Sequence, residues 1–356
     1  MTRRRALADV CAALQGRVAP DTDWMGLLEL ANQALVTPSL HRALQGHGHI
    51  PPEAAAFIAD VAARNAERNR RLLDMTMDAV RVLNAADVEP TLLKGMALWA
   101  LHAGQDFDRM MSDVDLLVRP DEVERAIAAM RAAGFGVLGP YEGVEFHVVA
   151  ELGRPSDVGL VDLHQRAPGP PGMAEVFDPQ RHTRPAPWPG RARVPSPEYQ
   201  VYLLCLHDQF HDGDYWRGGF DLRHLLDIAW LTHQPAGVDW EALERLIPTR
   251  LVRNAVHGQL LAAHRLLGAC VPAKVLGRLV PRMQHRRRLA QHLYPQWRFA
   301  LAGAGLLLEA GNIFEHRSVN LAGRRAVFGS PSVDRHKREH YGSRIKQIMT
   351  PGAGKI

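Results

Sequence analysis

Cysteine is scarce in this chain of 356 residues, which has three: Cys11, Cys205 and Cys270. An odd number with no CxxC pair excludes a disulfide framework and a zinc site built on thiolates, and it predicts a reducing compartment. Long apolar runs are also lacking. The basic N-terminus contains no signal-like stretch, and residues 299–308 are too short to span a bilayer, so we interpret them as a buried helix. We therefore expect a cytoplasmic protein with no membrane contact.

The excess of charge of one sign is small, since the formal net charge is +5 and 23% of the residues are charged. No basic patch interleaved with aromatic residues occurs, so nucleic acid is not a favoured partner, although mild basicity attracts substrates that carry phosphate. With 46% hydrophobic residues, the composition is that of a soluble globular protein.

The order of the hydrophobic patterns predicts helical regions on both sides of a small α/β core. Residues 1–86 form a helical N-terminal region, and residues 198–328 form a helical C-terminal domain. Residues 87–197 form the core, which ends in a loop rich in proline and glycine with some extended structure at 167–197. Residues 329–356 are a polar and flexible tail.

Helices and strands within these regions follow from the periodicity of the apolar residues. Strands are predicted at residues 88–93, 111–118, 146–152 and 159–164, and helices at 24–36, 53–86, 96–103, 120–133, 198–206, 222–231 and 240–267.

The run RMMSDVDLLV carries the strongest signal of chemistry, because it places Asp113 and Asp115 two residues apart at an apolar strand. Residues i and i+2 of a strand point to the same face, about 7 Å apart along the backbone. Two carboxylates held about 4 Å apart repel by roughly 4 kcal/mol at an effective dielectric of 20, and a divalent cation removes that cost. The alternative is that Asp113 is a turn residue and that Asp115 pairs with Arg109 or Lys94.

Two further elements support the cation interpretation. Gly95 lies where a predicted strand passes into a helix, and glycine at such a junction lets backbone N–H groups approach an anion. Asp162, in GLVDLH, lies on a predicted strand in an apolar setting like that of Asp115. Three carboxylates from adjacent strands can hold two Mg²⁺ ions.

These motifs together resemble a known family. The stretch LLKGMALWALHAGQDFDRMMSDVDLLV, followed by VDLHQR, resembles the nucleotidyltransferase-fold proteins related to DNA polymerase β, and most of all the branch of uncharacterised nucleotidyltransferases. The segments WMGLLELA and LLCLHDQFH…LRHLLDIAWL extend the resemblance over roughly residues 20–250. The resemblance implies an α+β fold in which a small mixed-sheet core is flanked by helical regions.

Site residues are implied by the same resemblance. Asp113 and Asp115 match the metal-binding pair, Asp162 the third carboxylate and Gly95 the phosphate-loop glycine. The following residue departs from the pattern, since Met96 stands where the superfamily usually has serine or glycine. The missing hydroxyl removes one phosphate contact.

Three other residues are expected to bind the nucleotide. Lys94 supplies a point charge for phosphate in place of the missing hydroxyl. Arg109 faces the phosphates or, as an equally good alternative, pairs with an aspartate of the site, and Ser112 lies directly before the aspartate pair.

Histidines form a second group of candidates. His164 shares a strand face with Asp162 and is expected to contact nucleotide or a carboxylate, or to be a structural histidine. His207 and His211 are spaced i, i+4 in LHDQFHDGD, as in metalloprotease motifs, but the sequence places no third ligand. We expect this segment to line the cleft and help bind the acceptor without a metal of its own.

Two alternatives exist for the histidine-rich half. One His of the pair could pack on the α/β core while the acidic residues end a helix. The charged residues of DLRHLLD, including Asp221, His224 and Asp227, could line the cleft, although a solvated helix face is the favoured interpretation.

The sequence therefore predicts a nucleotidyltransferase that uses Mg²⁺ or Mn²⁺, transfers a nucleoside monophosphate from an NTP to an acceptor and releases pyrophosphate. The acceptor is a small molecule, a peptide or a protein, with nucleic acid less favoured, and the sequence names neither it nor the nucleotide. A catalytically degenerate protein that binds nucleotide or a partner is one alternative. A metal hydrolase built on His207 and His211 is the other.

Overall fold

A computed structural model describes residues 3–102, 108–140, 148–167 and 179–312 of the chain. The strands are β1 (Thr91–Leu92), β2 (Val114–Leu117), β3 (Gly136–Pro140), β4 (Val148–Gly153), β5 (Val161–His164), β6 (Thr183–Pro185) and β7 (Arg193–Pro195). The helices are α1 (Arg3–Ala13), α2 (Trp24–Gln33), α3 (Thr37–Ala43), α4 (Pro52–Ala85), α5 (Lys94–Leu101), α6 (Val123–Ala132), α7 (Pro179–His182), α8 (Pro197–Leu206), α9 (Asp214–Arg217), α10 (Leu222–His233), α11 (Trp240–Leu246), α12 (Arg250–Leu267), α13 (Ala273–Leu276), α14 (Leu279–Leu293) and α15 (Arg298–Leu308). A π-helical turn (His207–His211) follows α8, and 3₁₀ turns cover Pro120–Glu122 and Pro295–Trp297.

The seven strands form one mixed sheet in the order β3-β4-β5-β2-β1-β7-β6. The pairs β2–β5 and β1–β7 are parallel, and the other neighbours are antiparallel. Strands β2 and β5 therefore lie side by side at the centre of the sheet, although the 43 residues 118–160 lie between them in the chain. The predicted α+β fold with a mixed sheet and flanking helices is confirmed.

Among the described residues, two large hydrophobic cores and one small cluster around Tyr215 hold the elements together. The first joins the sheet to one face of α4, where Leu72, Val80 and Leu83 pack with sheet residues such as Val114 and Val161. All four residues of β2 are buried, and apart from Asp115 they are apolar, as expected for a strand covered on both faces.

The second core joins α1–α3 with α8 and α10–α12, and we call these elements together the helical half. Leu93, Leu98 and Leu117 belong to this core although they lie in or beside β1, α5 and β2. The helical half therefore packs against the segment between β1 and α5, where the sequence predicts the phosphate turn.

Several boundaries depart from prediction for local reasons. The helix predicted at 240–267 is two helices, because Pro248 ends the first and the Thr249 side chain caps α12 by accepting from the Val252 N–H at 3.3 Å. The sequence did not indicate β3, whose GVLGP sequence is poor in strand formers and lies at the sheet edge with a bulge against β4. Strands β6 and β7 lie in the segment expected to be a loop with some extended structure.

The interpretation of residues 299–308 as a buried helix is wrong on burial. They lie in α15, but the side chains of Phe299 and Leu307 are 60% and 79% exposed. Within the described residues, no helix combines the length and the hydrophobicity that crossing a membrane requires. The predicted tail at 329–356 lies outside the described residues, and the four-part division of the chain remains a prediction.

Candidate active site

The parallel pairing of β2 with β5 brings the predicted carboxylates together. Asp115 and Asp162 are register partners on the two strands, so their side chains leave the same face of the sheet. Asp113 precedes β2 by one residue. Burial and then the charges of Asp115 and Asp113 raise the pKa of Asp162 to about 7. Asp115 and Asp162 are therefore neighbours in one site, and the charge of Asp113 also acts on Asp162.

Asp115 is the most enclosed of the three, with 3% of its surface exposed. Its Oδ1 accepts from Lys94 Nζ at 2.8 Å and from His164 Nε2 at 2.9 Å. Burial alone would raise the pKa of Asp115, but Lys94 and His164 outweigh it and hold that pKa well below its usual range. Asp115 is thus a carboxylate at neutral pH. Its ion pair with Lys94 is the one that the alternative to a cation site predicted for this aspartate.

His164 lies on β5 two residues after Asp162 and is fully buried. Burial lowers the pKa of His164 in spite of the neighbouring carboxylate, so the ring is neutral at pH 7 and its Nε2–H donates to Asp115. From the sequence, His164 is expected to contact nucleotide or a carboxylate, or to be structural. In the structure it contacts the carboxylate of Asp115 and holds it in one orientation.

Lys94 begins helix α5 in an unusual backbone conformation, with φ at +45°. A residue with a side chain seldom adopts a left-handed φ, and such strain concentrates at functional sites. Two contacts hold it: the Asp115 ion pair and a hydrogen bond from Gln200 Nε2 to the Lys94 carbonyl at 3.2 Å. Although burial opposes ionisation, Asp115 and Asp113 raise the pKa of Lys94, so the ammonium stays charged.

Gly95 lies in close packing. A Cβ at this position would lie 2.7 Å from Arg109 Nη1 and 2.7 Å from Met111 Sδ, so these two side chains would have to move to admit one. The left-handed φ falls on Lys94 instead. The glycine therefore allows the loop before β2 to pack directly on the turn that begins α5.

Arg109, in that loop, pairs with Asp227 of α10, Nε to Oδ2 at 2.8 Å. Asp227 is 6% exposed, so the interpretation of this stretch of α10 as a solvated face is wrong. The α10 helix turns Asp227 inward because Leu225, Ile228 and the neighbouring apolar positions belong to the helical core. Neither sequence alternative for Arg109 anticipated a partner 118 residues away.

The Ser112 residue is exposed, and the described contact that holds it is made by its main-chain carbonyl. Arg68 of α4 donates from Nη2 to the Ser112 carbonyl at 3.1 Å and from Nε to the Met111 carbonyl at 3.2 Å. An Arg on the long α4 helix thus positions the loop that leads into the carboxylate pair. The sequence offered no signal for this contact.

Comparison with known proteins identifies the family of the chain. A family model described as uncharacterised nucleotidyltransferase matches residues 20–268. The chain belongs to this nucleotidyltransferase family. A solution structure of the antibiotic-resistance factor ANT(2'')-Ia is similar over 63% of this chain and 98% of that chain, with 14% identity and a TM-score of 0.30. No curated protein matches the chain.

In this nucleotidyltransferase the helical half forms a wall beside Lys94. The π-helical turn His207–His211 continues α8, which carries Gln200, and the ammonium of Lys94 is near enough to influence the His207 ring. Burial alone would lower the pKa of His207, but Asp212 outweighs it and raises that pKa. His211 is exposed.

Asp208, between the two histidines, points into a buried polar network. It accepts from His224 Nδ1 at 2.7 Å and from Gln259 Nε2 at 2.8 Å. Two helices, α10 and α12, therefore clamp the π-helical turn. Sequence patterns gave no sign of Gln200 or Gln259, because an isolated glutamine on a helix carries no recognisable motif.

Proposed function

We propose that the chain transfers a nucleoside monophosphate from an NTP to an acceptor in a reaction that depends on Mg²⁺ or Mn²⁺. The observation that carries this proposal is the convergence of Asp113, Asp115 and Asp162 beside Lys94 at the centre of the sheet. An oxygen of the acceptor bonds to the α-phosphorus of the NTP, the bond from that phosphorus to the bridging oxygen breaks, and pyrophosphate leaves.

The residues present fit a divalent cation. Asp115, Asp162 and His164 each offer an atom within 4.8 Å of the others, and Asp113 adds a third carboxylate nearby. Carboxylate oxygens are the ligands that Mg²⁺ and Mn²⁺ prefer. Burial first, and then negative charge of Asp115 and Asp113 that Lys94 does not fully balance, raises the pKa of Asp162. Asp113, Asp115 and Asp162 would hold the cation, which when bound neutralises charge on the triphosphate.

Asp162 would receive the proton of the acceptor. It is half-buried, whereas its register partner Asp115 is enclosed by Lys94 and His164. An acceptor hydroxyl that approaches the exposed side of the pair therefore meets Asp162 first. Transfer of the hydroxyl proton to this carboxylate accompanies attack on the α-phosphorus.

Lys94 and Gly95 would receive the phosphates. The first turn of α5 presents backbone N–H groups without a side-chain cap, since Leu93 precedes it. Lys94 supplies the positive charge that compensates for Met96, which is buried and offers no hydroxyl. On binding of the triphosphate we expect the ammonium to leave Asp115 for phosphate.

The acceptor is proposed to enter beside the π-helical turn that carries His207 and His211. It is proposed to be a small molecule, a peptide or a protein. The cytoplasm is the proposed compartment. The small and odd number of cysteines, with no CxxC pair, supports this proposal.

The test is transfer of label from each α-labelled NTP, with Mg²⁺ or Mn²⁺, to fractionated small molecules and proteins. Asp113→Asn should abolish transfer, and Asp121→Asn, which changes an exposed aspartate eight residues along the chain, should leave it unchanged. NTP binding without turnover would instead indicate a degenerate protein. Hydrolysis of an ester or peptide that requires His207 would overturn the proposal.

A further inference from the structure

The π-helical turn His207–His211 changes which side chains share a face. The Asp212 N–H bonds to the His207 carbonyl at 2.9 Å, an i+5 to i hydrogen bond. In an α-helix only residues at i+3 and i+4 lie over residue i. The wider turn brings both His211 and Asp212 next to His207, and π turns of this kind occur often at functional sites.

The three side chains present a mixed set of donors. His207, His211 and Asp212 each have a ligand atom within 4.8 Å of the other two. The two imidazole rings lie 5.0 Å apart between centroids, and His207 Nδ1 is 3.3 Å from an oxygen of Asp212. Two imidazole nitrogens with one carboxylate oxygen suit Zn²⁺ and related transition-metal ions, whereas Mg²⁺ prefers oxygen alone.

The surroundings orient this set and leave it accessible. Asp208 Oδ1 lies 3.7 Å from His207 Nδ1, and the Asp208 carboxylate accepts hydrogen bonds from His224 and Gln259. These contacts hold the chain between the two histidines in place. His211 is exposed and Asp212 is half-buried, so an ion can reach the set from solvent. Polar partners behind the ligands are a regular feature of metal sites.

We propose that His207, His211 and Asp212 bind one transition-metal ion of the Zn²⁺ class. This site shares no residue with the carboxylate site of Asp113, Asp115 and Asp162, and metal binding by His207, His211 and Asp212 does not depend on the function assigned to that site. Three protein ligands leave at least one coordination position open to water or to a group of a bound molecule. Sequence reasoning left the histidine pair without a third ligand, and the π turn supplies it.

The test uses Co²⁺ as a visible probe on the full chain, without an affinity tag and stripped of metal. The titration is made on the Asp113→Asn variant with excess Mg²⁺, so that the carboxylate site does not contribute. We expect one equivalent of Co²⁺ to produce visible absorption bands, and Zn²⁺ to abolish them. Bands that Zn²⁺ does not abolish, or no binding at all, would overturn the proposal.

Variants assign the ligands. His211→Ala and Asp212→Asn should each weaken Co²⁺ binding by about 100-fold or more, since even partners outside the ligand shell cost roughly 10- to 100-fold. The matched control is His41→Ala, which removes another exposed histidine and should bind Co²⁺ like its parent. Thermal melting should show that all three variants fold. Undiminished binding by folded His211→Ala and Asp212→Asn would refute the assignment.

Discussion

Arg109 and Asp227 form a buried ion pair, 2.8 Å long, between the loop before β2 and helix α10. The Arg109 guanidinium also packs where a Cβ of Gly95 would stand, and the Arg109 carbonyl accepts from Asn69 Nδ2 of α4 at 2.9 Å. One arginine thus connects the helical half, the long helix and the proposed phosphate turn.

Breaking this pair should destabilise the protein strongly. Asp227→Asn removes one charge and leaves the Arg109 guanidinium buried without its partner, which typically costs about 3–5 kcal/mol. We expect the free energy of unfolding in urea to fall by about that amount. Arg109→Met combined with Asp227→Leu should recover part of the loss, because no charge is then left unpaired. A double variant less stable than the single one would contradict this account.

Gly95→Ala tests close packing at the phosphate turn. The new methyl group would press on Arg109 and Met111, and overpacking of this kind costs about 1–3 kcal/mol. The control is Gly303→Ala in α15, where a Cβ meets nothing within 4 Å and helix propensity should stabilise the protein by up to about 1 kcal/mol. Urea unfolding of both variants measures the contrast, and stabilisation by Gly95→Ala would show that the turn has room.

Lys94→Met should strengthen divalent metal binding in the absence of nucleotide. The ammonium lies on Asp115 Oδ1 and opposes a second cation there, so its removal should tighten Mn²⁺ binding by roughly 10-fold, equivalent to about 1.4 kcal/mol. NTP binding should weaken in the same variant. Electron paramagnetic resonance of free Mn²⁺ gives the dissociation constants, and Lys274→Met, at an exposed lysine, is the control. Unchanged Mn²⁺ affinity would argue that the cation does not approach Asp115.

Stability should fall as the pH drops below 7, because buried histidines resist protonation. Burial, with Arg288, Arg265 and Arg286 nearby, lowers the pKa of His285 to about 3, against about 6.5 in the unfolded chain. The unfolded state therefore binds more protons between these values, and His285 alone should cost about 2 kcal/mol between pH 7 and pH 5. Urea unfolding at both pH values measures the loss. His285→Gln should reduce this pH dependence, and an identical slope would refute the role of His285.

Much of the site was predictable because its motifs are local. Asp115 and Asp162 lie in two apolar strands, so strand geometry predicts the face on which each side chain lies, and Asp113 stands one residue before the first of these strands. Lys94 and Gly95 stand at a strand-to-helix junction that the sequence marks by its change of period. Local spacing also indicated the His207 and His211 pair, but it assumed an α-helix.

The contacts between distant segments could not be predicted in this way. Asp227 reads as one charge on an amphipathic helix, and nothing near it in the chain indicates Arg109, which lies 118 residues earlier. The pairing of Lys94 and His164 on one oxygen of Asp115 depends on three separate elements meeting. Asp212 joins the histidines because the turn is π-helical, and the spacing of residues in the sequence does not distinguish a π turn from an α-helix.

The sequence by itself determined the strand and helix pattern, the membership of a nucleotidyltransferase family and the carboxylates that face one another, because these follow from residue spacing over short distances. Tertiary structure decided which cation balances Asp115, which acidic residue holds Arg109 and which third side chain approaches His207 and His211. Those outcomes depend on burial, since removing charges from water makes each group require a partner, and the partner is chosen by packing between remote elements.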